Sequence, residues 1–413
     1  MRVLIAGGGI GGLALAQGLV GRGIDVVVVE PDVDLERTGG YKLHLGPKAV
    51  EALGSLLPAE RRDLLLASGM GAEDFRTALC DHRGRLLFSA ADPPGGRSVD
   101  IDRVTLRLVL AEGLEQHVLL GRRAVRYDVD SPSPGVRLEL DDGSQLEGDV
   151  LIIADGAGSG LAQRLAGEPT STPVGLVGVA GRTEWSRLST QAQELVAEEP
   201  MLAIGPGGAG LFASRHDPAG QPGGTGRRSL SLTTEPVIIW GFIGVDHLLP
   251  ERVTGVPGSL LVHHVGEVLR ERGWEPGALE LVERGEHREI SGFRFLAADP
   301  AAIAPWDAGP VTALGDAAHA MPPTGGQGAA TAVRDAAALA ELLGEVDAGR
   351  RPLVEAVEAY HQQMREYAAA AVRDSLQTVT WIQRSDTPWG RRLMRWLLPI
   401  VAMVARWVHR RSG

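Results

Sequence analysis

The sequence predicts an α/β protein. A Rossmann-like dinucleotide-binding domain carries a second, mostly β domain, and the chain ends in helices. Three observations point there. A short apolar run at 3–6 breaks into glycines and is followed by an almost wholly apolar segment, 10–22, and four consecutive valines, 26–29. Between 172 and 285, apolar runs of strand length alternate with Gly- and Pro-rich turns. Beyond 328 the pattern turns helical, over 328–343 and 352–384.

Residues 3–6 are apolar and end at glycine, as a buried strand does, and 10–22 reads as a buried helix. The valine run suits a parallel strand covered on both faces, which closes a β-α-β unit. Residues 47–67 read as helical. Residues 75–80 and 85–89 flank His82-Arg83-Gly84 and read as a hairpin. A helix over 102–114 follows, capped by Asp102 or Asp100. Short strands between 117 and 154 are separated by turns at 131–135 and 141–143, and 150–154 is again a buried strand. In the middle region strands are expected at 174–185, 201–204, 209–215 and 236–245, with a helix near 258–272 and a loop at 216–228. Residues 311–314 return to the first sheet. The domains are therefore expected at 1–74, 98–171 and 286–345 (dinucleotide-binding, discontinuous), 75–97 and 172–285 (a substrate-binding β-sheet), and 346–413 (C-terminal helices).

Gly7-Gly8-Gly9-Ile10-Gly11-Gly12 fits G-x-G-x-x-G at Gly7, Gly9 and Gly12, after a strand and at the start of a helix. Gly7 permits the tight turn, Gly9 a close approach of backbone to pyrophosphate, and Gly12 close helix–strand packing. The helix N-terminus offers unpaired N–H groups and the positive end of a dipole. Glu30 follows 18 residues after Gly12, at the end of the valine strand. A carboxylate there bonds adenosine ribose hydroxyls and repels a 2′-phosphate, so FAD or NAD suits the site better than NADP. A second match, Gly205-Pro206-Gly207-Gly208-Ala209-Gly210, runs into strand-like sequence and reads as a hairpin turn.

Two later pieces complete the pattern. The strand at 150–154 runs into Asp155-Gly156-Ala157-Gly158-Ser159, which alone is a plain acidic turn before a helix containing Arg164. Gly315-Asp316-Ala317-Ala318-His319 and then Pro322-Pro323-Thr324-Gly325-Gly326-Gln327-Gly328 precede a helix. Asp316 ends a buried strand, where open α/β sheets meet their ligands, and can accept a sugar-alcohol hydroxyl. The N–H groups of Gly325, Gly326, Gln327 and Gly328 converge at the helix start and can stabilise an anion. A long surface loop is the bland alternative.

These pieces, in this order, make the chain resemble the group A FAD-dependent monooxygenases, the aromatic-hydroxylase family with the p-hydroxybenzoate hydroxylase fold. The resemblance spans roughly residues 1–345. It implies FAD held by Gly7, Gly9, Gly12, Glu30, Asp155, Asp316, Gly326, Gln327 and Gly328. Arg103, before Leu106 and Leu110, corresponds to the family's flavin-touching arginine. Arg37 and Gly39-Gly40-Tyr41-Lys42-Leu43-His44 match the stretch passing the isoalloxazine, in a Gly-Gly form similar to tetracycline-degrading and polyketide-tailoring members. The family's arginine three residues after the second-motif serine is displaced here to Arg164. The implied activity uses NAD(P)H and O2, through a C4a-hydroperoxyflavin, to hydroxylate or epoxidise an aromatic or polycyclic small molecule. His44 and Pro323 fall beside flavin and substrate. Alternatives are a related FAD oxidoreductase without oxygen transfer (reductase or halogenase-like), or a non-catalytic ligand-binding relative.

Composition narrows the remaining classes. The 413 residues carry 41 basic and 52 acidic side chains, for a net charge of −11, and the chain is 44% apolar and 23% charged. That is ordinary for a globular enzyme and wrong for nucleic-acid binding. One cysteine, Cys80, excludes internal disulfides and thiolate metal sites, and no metal site is expected. Cys80 reads as a small buried residue, His319 as structural, and His263-His264 as a surface pair. Trp240 and Phe242 read as core, with a pocket wall as the alternative. No run reaches the ~20 apolar residues of a membrane span. The start imitates a signal peptide, but cleavage would destroy the glycine motif, so a cytoplasmic location is expected. The arginine-rich, apolar tail 384–413 reads as a packed helix, with peripheral membrane contact as the alternative.

Overall fold

The computed structural model describes residues 1–37, 42–72, 76–91, 96–129, 135–218, 229–390 and 392. Residues 39–41, the loop at 219–228, the turn at 131–134 and the tail from 393 lie outside the described residues, as does the Arg37 side chain. A parallel sheet of five strands forms the first layer, in the order Val311–Ala313, Val150–Ile153, Arg2–Ala6, Asp25–Glu30 and Val118–Leu120. The strand Arg2–Ala6 is central, and its last four residues are buried. Helix Ile10–Val20 is buried along nearly its whole length, because helix Gly328–Asp347 and the sheet enclose it. The mean character of that helix is apolar all round, as burial on every side requires.

A seven-stranded sheet forms the second layer. Its spine is Thr172–Glu184, paired antiparallel with Val237–Val245, which pairs in turn with Ala209–His216. The glycine-rich 205–209 segment is the hairpin between Met201–Gly205 and Ala209–His216. The strand Ser291–Ala297 lies on the other side of Thr172–Glu184. The boundary expected at 286 puts this strand with the first domain, yet its backbone bonds complete the large sheet. Arg76–Asp81 and Leu86–Ala91 pair as a hairpin, and Arg76–Asp81 joins the large sheet parallel to Met201–Gly205.

The segment expected as one helix over 47–67 is two, Pro47–Leu56 and Ala59–Ser68. Pro58 causes the break, because proline disfavours helical backbone at Leu57, which is extended. Asp102 is the cap of Arg103–Ala111, accepting the Val104 N–H at 2.8 Å and the Thr105 N–H at 3.2 Å. Two three-stranded sheets are separate from these: Lys42–Leu45 and Met70–Ala72 flank Ser98–Asp102, and Gln145–Gly148 and Ala124–Val129 flank Val136–Leu140. Among the described residues no helix is long and apolar enough to cross a membrane.

Glycine is required where the first helix leaves the sheet. Gly7 has φ +117°, and a Cβ there would lie 2.3 Å from the Ala154 carbonyl oxygen. A Cβ on Gly12 would lie 2.0 Å from the Gly7 oxygen. Gly12→Ala is therefore expected to cost about 3 kcal/mol or more, as an overpacked backbone contact. Gly54→Ala, in a helix with open space around it, should gain about 0.5–1 kcal/mol. Chemical denaturation of the two variants checks the contrast.

Candidate functional site

A cavity of about 300 Å³ lies where the parallel sheet meets the large sheet. Gly9, Ile10 and Gly11, Gly156 and Ala157, and Gly315, Asp316, Gly326 and Gly328 line it. Arg103, His44, Lys42 and Pro323 also border it. Three separated stretches of sequence thus converge on one space. Two long helices, Ile10–Val20 and Gly328–Asp347, begin at its wall. Their first N–H groups are those a helix leaves without internal partners. Gly9 and Gly326 have nothing within 4 Å of a Cβ position, so the space beside their backbones is open.

Glu30 stands next to this wall. Its Oε2 accepts the Gly8 N–H at 2.7 Å and lies 3.0 Å from Arg107 Nη2, while Oε1 accepts the Asp32 N–H at 2.8 Å. A carboxylate offers about four lone-pair positions, so three partners leave room for a hydroxyl. Arg107 is itself buried, donating from Nε to the Gly8 carbonyl at 2.9 Å and from Nη1 to Asp32 at 2.7 Å. It locks the glycine turn and the acidic strand end together. Sequence reading missed Arg107. The signal was its position one helical turn after Arg103, which brings both to one face.

Asp316 lies deep in the protein, yet its side chain faces the open cavity and is exposed there. Surrounding protein pushes its pKa up, against the His319 and Arg103 charges. Behind it, His319 is fully buried and is not solitary. Its Nε2 lies 2.6 Å from Asp335 Oδ2, which also accepts the Gly315 N–H at 2.8 Å, and Asp335 Oδ1 accepts the Tyr367 hydroxyl at 2.5 Å. Burial opposes the imidazolium, but the Asp335 charge and hydrogen bond outweigh it and raise the His319 pKa. This group fixes the left-handed turn at Gly315, φ +60°, that presents Asp316.

The remaining sequence candidates fall in two sets. Gly9, Arg103, Asp316, Gly326, Gly328, His44 and Pro323 border the cavity. Gly7 and Gly12 pack the turn behind it, Gln327 caps the helix, and Asp155 begins the exposed turn beside Gly156. Arg37 ends the short helical turn Leu35–Arg37. Arg164 is away from the cavity, 3.3 Å from Asp128 and stacked over Tyr127. His263 and His264 are a helix-surface pair near Glu267, and Cys80 is buried with its thiol pKa pushed up to about 11 by desolvation. Among the described residues no His, Cys, Asp and Glu group could hold a metal ion.

A second cavity, about 310 Å³, opens against the large sheet. Trp240, Phe242, Phe212, Phe293 and Phe295 dominate its walls. Trp240 and Phe242 are both core and wall, and Trp240 Nε1 donates to Thr183 at 3.0 Å. Lys42, His44, Phe293, Phe295, Pro323 and Gly326 border both cavities, so the two adjoin. Behind His44, Asp100 joins its Nδ1 at 2.7 Å and Lys42 Nζ at 2.5 Å. Burial would raise the Asp100 pKa, but the Lys42 ammonium and the His44 hydrogen bond hold it below the usual carboxylate range.

This geometry suits a dinucleotide such as FAD: two helix N-termini and a strand-end aspartate border one cavity, with an acidic strand end next to its wall. Comparison with known proteins agrees. The family model described as an FAD binding domain matches residues 280–375. The dual O-methyltransferase/FAD-dependent monooxygenase elcB of Phaeosphaeria nodorum is 31% identical over 383 residues, 82% of this chain and 40% of that protein. The chain thus spans less than half the length of this dual-function relative. FAD-dependent monooxygenase thnD of Trichoderma harzianum is 28% identical over 92% of this chain and 91% of its own. A solved structure from Photorhabdus luminescens, described as an FAD-containing monooxygenase, superposes with a TM-score of 0.77 at 29% identity, over 93% of this chain and 98% of that one. The chain is thus similar to FAD-dependent monooxygenases, and its residues 280–375 match the FAD binding domain family.

Two outcomes follow from the buried pairs. Arg107→Leu strands the Glu30 and Asp32 carboxylates and should cost about 3–5 kcal/mol of stability. FAD affinity should fall with it, by flavin fluorescence titration, whereas Arg164→Leu should leave FAD affinity unchanged. His319 has a folded pKa above its unfolded value of about 6.5, so the stability from the Asp335 pair is full below that pH. It is lost as pH rises through the folded pKa. Urea midpoints should therefore decline on the alkaline side in the parent protein, and less steeply in Asp335→Asn.

Proposed function

We propose that the chain is an FAD-dependent monooxygenase that uses NAD(P)H and O2 to hydroxylate or epoxidise an aromatic or polycyclic small molecule. The observation that carries this is the adjacency of two cavities: one with helix N-termini and Asp316, the other walled by aromatic side chains. The residues present fit FAD. An open glycine backbone begins helix Ile10–Val20, a carboxylate with a spare lone pair ends the second strand, and Asp316 faces the space between.

In this reading Gly9 and the helix it begins hold the diphosphate, with Gly7 and Gly12 shaping the turn. Glu30, oriented by Arg107, takes the adenosine ribose. Asp316 takes the ribityl chain, Asp155 stands near the diphosphate, Arg37 belongs to the stretch that passes the isoalloxazine, and Arg103 lies beside the ring. The N–H groups at Gln327 and Gly328 stabilise negative charge at the flavin pyrimidine edge, as an oxyanion hole does, while the Gly326 N–H donates to the Pro323 carbonyl at 3.0 Å and shapes the turn before them. FAD reduced by NAD(P)H supplies oxygen activation, chemistry the side chains lack. Pro323 and the apolar walls exclude water from the reacting edge. Phe293, Phe295 and Trp240 present flat faces to a flat substrate. His44 is placed to touch substrate or flavin. NAD(P)H is an intracellular reductant, which accords with a cytoplasmic location.

Purified protein should be yellow and show flavin absorbance bands. Aromatic and polycyclic candidates should stimulate NAD(P)H consumption, with a product heavier by one oxygen atom. NAD(P)H consumption with no oxygenated product from any candidate would favour a reductase. Absence of bound flavin after reconstitution with FAD would contradict the reading.

A further inference from the structure

Glycine inside a β-strand lowers stability, because it packs no side chain and loses the most backbone freedom on folding. It stands in a sheet interior where something else requires it. At Gly178, Gly181, Gly205 and Gly244 the requirement is crowding. A Cβ there would lie 2.6 Å from Phe295, 2.6 Å from Ile290, 2.6 Å from Trp274 and 2.8 Å from Phe242 respectively. Gly241 differs. It lies in the middle of the strand Val237–Val245 and does not have the positive φ that favours glycine. Among the described residues nothing lies within 4 Å of its Cβ position. Neither crowding nor backbone geometry calls for glycine there.

What Gly241 has instead is a face on the aromatic cavity. It pairs with Ala180 on one side and Phe212 on the other, and residues paired directly across a sheet share a face. All three border the cavity, as does Leu202, which pairs with Phe212 in the next strand. An aromatic side chain across from a glycine can fold over it and fill the gap. Phe212 does not, since none of its atoms comes within 4 Å of the Cβ position. Gly241 is therefore partly exposed although its strand is paired on both edges. It presents the flat face of the backbone to the cavity.

We propose that Gly241 is a specificity-determining residue, a bare strip of backbone on which a planar ligand of two fused aromatic rings lies beside Phe212. The inference rests on the monooxygenase reading and narrows its substrate class. An apolar cavity of about 150 Å³ holds one benzene ring, so a cavity of about 310 Å³ has room for two fused rings. A flat ring can meet bare backbone at van der Waals distance, about 3.5–4.0 Å. A methyl group at 241 would hold the ring off and forfeit much of that contact. A saturated, puckered ring gains less, because its axial hydrogens keep its carbons off a flat floor. Pro323 and Gly326 border this cavity and the flavin-side one alike, so a ring on Gly241 lies in the space that adjoins the proposed flavin site.

Equilibrium dialysis of FAD-loaded protein tests this, with 2-naphthol as the flat probe and decahydro-2-naphthol as its saturated counterpart. The parent protein should bind 2-naphthol about three- to tenfold more tightly than the saturated alcohol. Gly241→Val should weaken 2-naphthol binding by about tenfold or more, and Gly241→Ala by a smaller factor, with flavin content unchanged. Urea midpoints separate this role from a packing role. Gly241→Ala should unfold at or above the parent midpoint, whereas Gly178→Ala should fall below it. Flavin absorbance reads the cofactor assignment in the same samples, and parent protein that takes up no FAD sinks both readings. FAD-loaded parent protein that binds neither probe, or both equally, overturns the inference alone. So does parent affinity for 2-naphthol in Gly241→Val, loss of flavin from both Gly241 variants, or a midpoint for Gly241→Ala as low as that of Gly178→Ala.

Discussion

The architecture depends on close backbone approach where side chains are missing. Gly7 lies against Ala154, Gly12 against Gly7, and Gly11 against Leu314 and Ala332. These contacts pull together the ends of three parallel strands and the starts of two helices. No hydrogen bond or ion pair could substitute, because a Cβ at Gly7 or Gly12 would meet backbone within 2.3 Å. Once those segments meet, the cavity between them follows from geometry, and its electrostatics follow from the helix ends that open onto it.

Charge is then placed by a second set of constraints. Arg107 satisfies Glu30 and Asp32, and Asp335 satisfies Gly315, His319 and Tyr367. Each buried group answers several partners, which is what makes its burial tolerable. Neither cluster requires the ligand to be present. Both hold in advance the backbone that the ligand would meet, so less ordering is left for binding to drive.

The glycine turn was legible because its signal is local: strand, glycines, helix and acid lie within one β-α-β unit. Asp316 was legible for the same reason, as a strand end followed by a glycine-rich helix start. Arg107 was not, since a helical arginine looks solvated until its partners 75 and 99 residues away are known. The Lys42–Asp100–His44 group needed the register of two strands. Alternation puts Lys42 and His44 on one face, but only the pairing of His44 with Asp100 and Lys42 with Asp102 brings the carboxylates across. Proline at 58 was a readable break that helical periodicity overrode. The strand Ser291–Ala297 belongs to the large sheet through pairing with Thr172–Glu184, more than a hundred residues earlier, which no local pattern encodes.

Hydrogen–deuterium exchange with and without FAD tests the central claim most directly, because it reads all converging segments at once. Slowed exchange on FAD addition is predicted together at residues 8–12, at 156–158 and across 315–328. Protection confined to one of these segments, or absent from all of them, would contradict a single shared cofactor site.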